Sequence, residues 1–221
     1  MPIHAPRHRR PKGDALRLLS WNILRGSGAR CFEIAALVRR HAVDVAVFQE
    51  AWEDLDGLPT TLGGFYRRLA MGGRRHGPAV WTPHPMEGVC GVDLPVAGNW
   101  DLPSPVLKPP AQRIALVARV LGFTLATVHL DHGQLANRRQ FAHLVHSRPD
   151  VDVVAGDFNA IGPVLARGFS DVGPRAVTHM AWGVVPLRLD RCVTRGMRAT
   201  SAEALDRGAS DHRPILVVLA R

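Results

Sequence analysis

The feature that most constrains the fold is a series of short apolar runs, each bordered by a polar residue. Runs of strand length, rich in β-branched or bulky residues, occur at Leu16–Trp21, Val43–Phe48, Ile114–Val120, Phe123–Leu130, Val151–Ala155, Leu187–Val193 and Ile215–Leu219. Ala79–Thr82 is a weaker candidate. Two stretches carry helical spacing instead. Phe32–His41 repeats Ile34, Leu37 and Val38, with Arg39 and Arg40 in the last turn, where a cation suits the helix dipole. Leu135–His146 places Phe141, Leu144 and Val145 on one side. Leu121-Gly122 between two runs reads as a tight hairpin. Residues Thr82–Pro110 are rich in Pro and Gly and are expected to form a loop. Strands joined by hairpins and by helical crossovers predict an α/β protein with two packed mixed sheets covered by helices.

The borders of the runs share a chemistry. The first run ends at Asn22, the second at Gln49-Glu50, the hairpin's second arm at His129. Val151–Ala155 leads into Gly156-Asp157-Phe158-Asn159, Leu187–Leu189 into Asp190, and Ser210-Asp211-His212 precedes the last run. One such residue would be an ordinary turn former. Recurrence at six runs suggests side chains converging on one edge of the sheets. Carboxylates, imidazoles and amides without a thiolate favour Mg²⁺ or Mn²⁺ over zinc. The chain has no Gly-rich loop with Lys-Ser/Thr and no GxSxG, which argues against a P-loop nucleotide site and an acyl hydrolase. Metal, His and Asp together suggest hydrolysis at phosphorus. Within 156–159, period two puts Asp157 and Asn159 on one face and Phe158 in the core. An Asx-turn is the plain alternative.

Composition sets outer bounds. At 221 residues one domain is expected, 14–221, behind a disordered basic tail at 1–13. No apolar run approaches the length of a membrane span, and no apolar segment follows the basic start as in a signal peptide. The three cysteines are odd in number and widely spaced, which fits a reducing, cytoplasmic setting better than a disulfide framework. The net charge is +9 and only Lys12 and Lys108 are lysines. This implies an anionic partner, nucleic acid or an anionic membrane surface, or else merely an arginine-rich compositional habit.

The ordered set SWN (20–22), QE (49–50), VHL (128–130), GDFN (156–159), LD (189–190) and SDHRP (210–214) resembles the endonuclease/exonuclease/phosphatase superfamily, with the pancreatic deoxyribonuclease-like fold. The resemblance spans residues 16–219. It implies a four-layer α/β sandwich and a Mg²⁺ (or Mn²⁺) cofactor. It also implies site roles. Glu50 would be the main metal ligand with Asn22 beside it, and Asp211 would lie close by, as a ligand or through water. His212 would meet the scissile phosphate as general acid or base, with Asp190 fixing its tautomer. Asp157 would orient or deprotonate the attacking water, and Asn159 and His129 would hold phosphoryl oxygens. Arg138, His179 and Trp182 are weaker candidates for substrate contact, with helix-face, core or loop roles competing. Leu24 stands where some nucleases carry a second metal-side acid, so a second metal site is not implied.

Three functions compete. A metal-dependent nuclease accords with the charge of +9, although an aromatic content of 6% offers few stacking platforms. A phosphatase or phosphodiesterase acting on a small-molecule or lipid phosphate accords with the small size. A binding module that lost catalysis is disfavoured by the intact set of candidate residues. No obligate protein partner is indicated.

Overall fold

The computed structural model describes residues 15–96, 112–164 and 166–221. The expected tail at 1–13 and the later part of the expected loop lie outside them. The first sheet runs in the order β13 (Arg198–Ala204), β14 (Ile215–Ala220), β1 (Ala15–Asn22), β2 (Val45–Ala51), β4 (Gly77–Thr82) and β3 (Phe65–Arg68). The second runs β5 (Met86–Leu94), β6 (Arg113–Val120), β7 (Phe123–His129), β8 (Val153–Asp157), β12 (Asp190–Thr194) and β9 (Ser170–Asp171). Strands β10 (His179–Ala181) and β11 (Val185–Leu187) form a separate hairpin.

Each sheet contains one parallel pair, β1–β2 and β7–β8, and is otherwise antiparallel. A parallel pair needs a crossover. The two sequence-predicted helices supply both: α1 (Cys31–Arg40) joins β1 to β2, and α3 (Gln134–Ser147) joins β7 to β8. A short α2 (Leu58–Leu62) packs beside α1. The turn between β6 and β7 has both central residues at positive φ, Leu121 at 53° and Gly122 at 79°, as a two-residue hairpin requires.

Three apolar clusters define four layers. Leu16, Leu18, Val45, Val47, Leu116, Leu125, Val153, Ala155, Cys192 and Val217 interlock between the sheets. Leu19, Trp21, Phe48 and Leu216 turn outward beneath Ile34 and Val38 of α1. Val117, Ala126, Val154 and Val193 turn outward beneath Phe141 and Leu144 of α3. The alternation of strand side chains assigns each residue to its layer. Among the described residues, no helix is long and apolar enough to cross a membrane.

Three sequence expectations are corrected. Part of the expected loop 82–110 is the edge strand β5, whose mostly exposed or half-buried residues and glycines hide it from an apolar-run criterion. The expected strand Leu187–Val193 is two strands, broken at Arg188-Leu189, where Thr178 Oγ accepts hydrogen bonds from the Leu189 and Asp190 amides at 3.0 and 3.1 Å. Strand β8 ends at Asp157, so Asn159 does not share a strand face with it.

Candidate active site

The site is a continuation of the layer between the sheets. Leu18, Val47, Thr127, Ala155 and Cys192 face that layer or border it; two residues further along the side chain becomes Gln49, His129, Asp157 or, in the reverse direction, Asp190, and four residues beyond Leu18 it becomes Asn22. On β1, Ser20 stands between Leu18 and Asn22. All these strands present their polar member at the same end of the sandwich, so apolar packing gives way to a buried polar cluster. Gln49 bridges the sheets at this boundary, donating to Ser20 Oγ at 3.3 Å and Thr127 Oγ1 at 3.0 Å.

Asp157 is the hub. Its Oδ2 accepts from Asn22 Nδ2 at 3.1 Å and lies 3.6 Å from His129 Nε2 and 3.7 Å from His212 Nε2. Its Oδ1 accepts from the Asn159 amide at 2.9 Å, an Asx-turn that is also part of the site. Burial alone would raise this carboxyl, but the charge of His212 first, with His129 beside it and the Asn159 and Asn22 bonds, brings it down to about 2. Asn159 adopts φ 48°, and one of its side-chain N–H groups goes to the Leu130 carbonyl at 3.0 Å, leaving the other for a ligand. Phe158 between them is fully buried against Phe141, edge to face at 5.4 Å. Losing such a ring costs about 3–5 kcal/mol. Gly156, at φ 148°, passes so close to β7 that a Cβ there would stand 2.0 Å from the Val128 carbonyl oxygen. The close approach that glycine permits is therefore backbone to backbone.

His212 is set from several directions. Its Nδ1 meets Asp190 Oδ2 at 2.8 Å. Its amide donates to Ser210 Oγ at 3.1 Å, Ser210 Oγ donates to the Asn22 carbonyl at 2.6 Å, and Trp21 Nε1 donates to the His212 carbonyl at 3.0 Å. Burial would lower the imidazole, yet Asp190 first, then Asp157 and Asp211, raise it to about 10. His212 is therefore an imidazolium at neutral pH, while burial pushes the Asp190 carboxyl up against the opposing charge and hydrogen bond of His212. His129 is the opposite case: burial and then the charge of Arg113 push it well below its ordinary value, despite Asp157. It is neutral at pH 7, and its buried Nδ1 has no hydrogen-bond partner.

Glu50 lies on the other flank. The pairing of β2 with β4 shifts between Phe48 and Ala51, and Glu50 takes φ 58°, a conformation costing about 1–3 kcal/mol in a non-glycine residue. The bulge aims its carboxylate toward the cluster. Its contacts are long: 3.3 Å to the Arg25 amide, 3.8 Å to His129 Nδ1 and 3.9 Å to Arg25 Nε. Asn22 Oδ1 is lightly used, accepting from the Leu24 amide at 3.3 Å. Oxygen donors with spare lone pairs on Glu50 and Asn22, beside the ionised Asp157, fit a hard divalent cation.

Not every candidate converges. Asp211 is gathered with His179 and His212, ligand atoms within 4.8 Å, and neither this cluster nor Asp157–Asp190–His212 includes Glu50. His179 is drawn in by a bridge to His212, its ring 4.4 Å from that imidazole and its Nδ1 3.3 Å from the Asp211 carbonyl oxygen. Trp182 stands at the tip of the β10–β11 hairpin, 76% exposed. Arg138 is committed to carbonyls of Gln134, Ile161 and Pro163 and so braces the loop after Asn159. The sequence reading missed Arg113, buried at the start of β6 with an unpartnered Nε. Its only sequence signal is an arginine heading an apolar run. It also missed Thr178 and Ser210, whose hydroxyls lock the backbone around Asp190 and His212.

This four-layer frame is shared with solved structures. They include Bacteroides thetaiotaomicron mannosyl-6-phosphatase (TM-score 0.69, 20% identity, 93% of this chain and 100% of that one) and truncated Caenorhabditis elegans TDP2 (0.69, 18%, 95% and 99%). The human Nocturnin catalytic domain with bound sulfate is also similar (0.67, 16%, 94% and 93%). No curated protein matches the sequence. The sequence pattern of the Endonuclease/Exonuclease/phosphatase family matches residues 19–212, and the chain belongs to that family.

Proposed function

We propose that this protein is a divalent-cation-dependent phosphoester hydrolase, and specifically a nuclease that cleaves phosphodiesters by in-line attack of water. The observation that carries the reading is the His212–Asp190 pair facing Asp157 across 3.7 Å, with His129 Nε2 on the same carboxylate oxygen. Asp190 holds Nδ1, so Nε2 is the working nitrogen of His212. As an imidazolium it binds a phosphoryl oxygen or gives its proton to the leaving oxygen. Asp157, held ionised, accepts a hydrogen bond from the attacking water and sets its direction. Neutral His129 and the spare N–H of Asn159 serve as donors to equatorial phosphoryl oxygens. Mg²⁺ or Mn²⁺ held by Glu50 and Asn22, with Asp211 acting through water, would neutralise phosphoryl charge. Water is the nucleophile, and no covalent enzyme intermediate is required.

Two features support a nucleic-acid substrate: the charge of +9 and the exposed Trp182 on the hairpin that carries His179. The similarity to a mannosyl-6-phosphatase favours a second reading, a phosphatase acting on a small phosphomonoester. A panel of plasmid, single-stranded DNA, RNA, sugar phosphates, inositol phosphates and phospholipids, with Mg²⁺ and with EDTA, decides between them. Cation-dependent cleavage of a nucleic acid is expected. Turnover confined to a monoester replaces the nuclease with the second reading, and no cation-dependent turnover at all overturns both.

A further inference from the structure

Asp190 and Arg191 are neighbours on β12 and point to opposite sides of the sheet. Asp190 faces His212 between the sheets. Arg191 emerges on the outer side, where it joins a second charged cluster. There Asp171 is surrounded by three guanidiniums. Arg188 grips it with two bonds of 2.7 Å, and Arg191 Nη1 donates to Oδ2 at 2.9 Å. Arg175 Nη1 lies 3.6 Å from Oδ2, and Arg175 Nη2 donates to the Asp171 carbonyl at 3.2 Å. One carboxylate thus faces three cations, leaving two positive charges unbalanced. These four residues border a cavity of about 490 Å³, walled on its other side by Gly162, Pro163 and Val164.

Packing alone does not account for the whole arrangement. Arg188 and Arg191 brace β9 and the loop after Asn159, the latter through bonds from Arg191 Nη2 to the Ala160 and Gly162 carbonyls at 2.9 and 3.0 Å. Arg191 is only 4% exposed, yet its Nε has no partner. Arg175, with its side chain 73% exposed, adds a third cation at the rim without being needed to satisfy Asp171. Guanidiniums brought this close repel one another unless an anion joins them. Their planar donor forks match tetrahedral oxyanions in particular.

We propose that this cavity is a binding site for a phosphate-type oxyanion, separate from the catalytic cluster, with Arg175, Arg188 and Arg191 as its cationic wall. The anion is either free phosphate or a phosphate of a polymer, and the two share the same recognition chemistry. The site does not depend on the catalytic reading, because it lies on the other face of β12.

The test uses the full chain carrying His212→Ala, so that turnover is removed, with and without Arg175→Glu. Binding of inorganic phosphate and of a ten-nucleotide single-stranded DNA is measured by calorimetry at constant ionic strength, with chloride as the control anion. Arg175→Glu is expected to weaken phosphate binding about tenfold or more while leaving the melting temperature of the free protein in place. If DNA binding weakens in parallel, the site reads a polymer phosphate; if only inorganic phosphate is affected, it reads the free anion. Phosphate affinity unchanged by Arg175→Glu, or matched by chloride, overturns the proposal.

Discussion

The two flanks of the candidate site are built differently. On the His212 flank the imidazole and its backbone are held by short bonds: 2.8 Å to Asp190, 2.6 Å from Ser210 to Asn22, and 3.0 Å from Trp21. On the Glu50 flank the contacts run from 3.3 to 3.9 Å, and the carboxylate is placed by backbone strain rather than by partners. A proton-handling group works only if its tautomer and direction are set beforehand. A ligand for a hard cation must keep its lone pairs available. The contrast accords with the proposed division of labour, proton handling at His212 and cation binding at Glu50.

That contrast can be broken in graded steps. His212→Ala removes the fixed flank's working nitrogen, and turnover should fall about 10³-fold or more with the circular dichroism spectrum and melting temperature largely kept. Activity near wild type would remove His212 from the mechanism. Asp190→Asn keeps the shape but not the charge, and should cost about 10²–10³-fold. Asp190 raises His212, so without that charge the pH limb belonging to the imidazole in kcat/KM must move to lower pH; a limb that stays in place would separate the two residues. Glu50→Gln tests the open flank. It should cost about 10–100-fold at a fixed Mg²⁺ concentration and recover as Mg²⁺ is raised, whereas His212→Ala should not recover.

The smallest effect is on stability. His76 is buried beneath Trp52 and beside Arg25, and burial followed by the charges of Arg25, Arg74 and Arg113 brings it down to about 4. The unfolded chain takes up this proton near pH 6.5 and the folded chain only near 4. Stability is therefore retained above pH 6.5 and lost as pH falls through that window. His129, also lowered, contributes with the same sign. Urea titrations from pH 7 to 4 should show a shallower decline for His76→Gln than for wild type; parallel curves would contradict the assignment.

Much of this was legible in the chain. The inter-sheet strands announce themselves because both faces are buried, as in β7 and β8, where every residue is enclosed. Their polar borders are visible because a buried strand has no other reason to end in Asn, Glu or His. Edge strands were not legible: β5 and β13 mix exposed and half-buried residues and present no apolar run. Nor was the bulge at Glu50, since the sequence QEA carries no glycine to mark positive φ. The direction of Asn159 was missed because its geometry follows from the end of β8 rather than from strand periodicity. Arg113 and Arg191 were invisible for a common reason. Whether an arginine is a solvated charge or a buried one depends on partners far away in sequence.

Strand β12 pairs with β8 so that Asp190 stands opposite Asp157 and Arg191 opposite Gly156. A slip of one residue would carry a guanidinium in among the imidazoles of the candidate site and set a second carboxylate beside Asp171. A strand with one buried face takes its register from the apolar alternation, but β12 is buried on both faces and has no such pattern to follow. Here two opposite charges on adjacent residues act as a proofreading device, and the chain can close its sandwich only in the alignment that also completes the site.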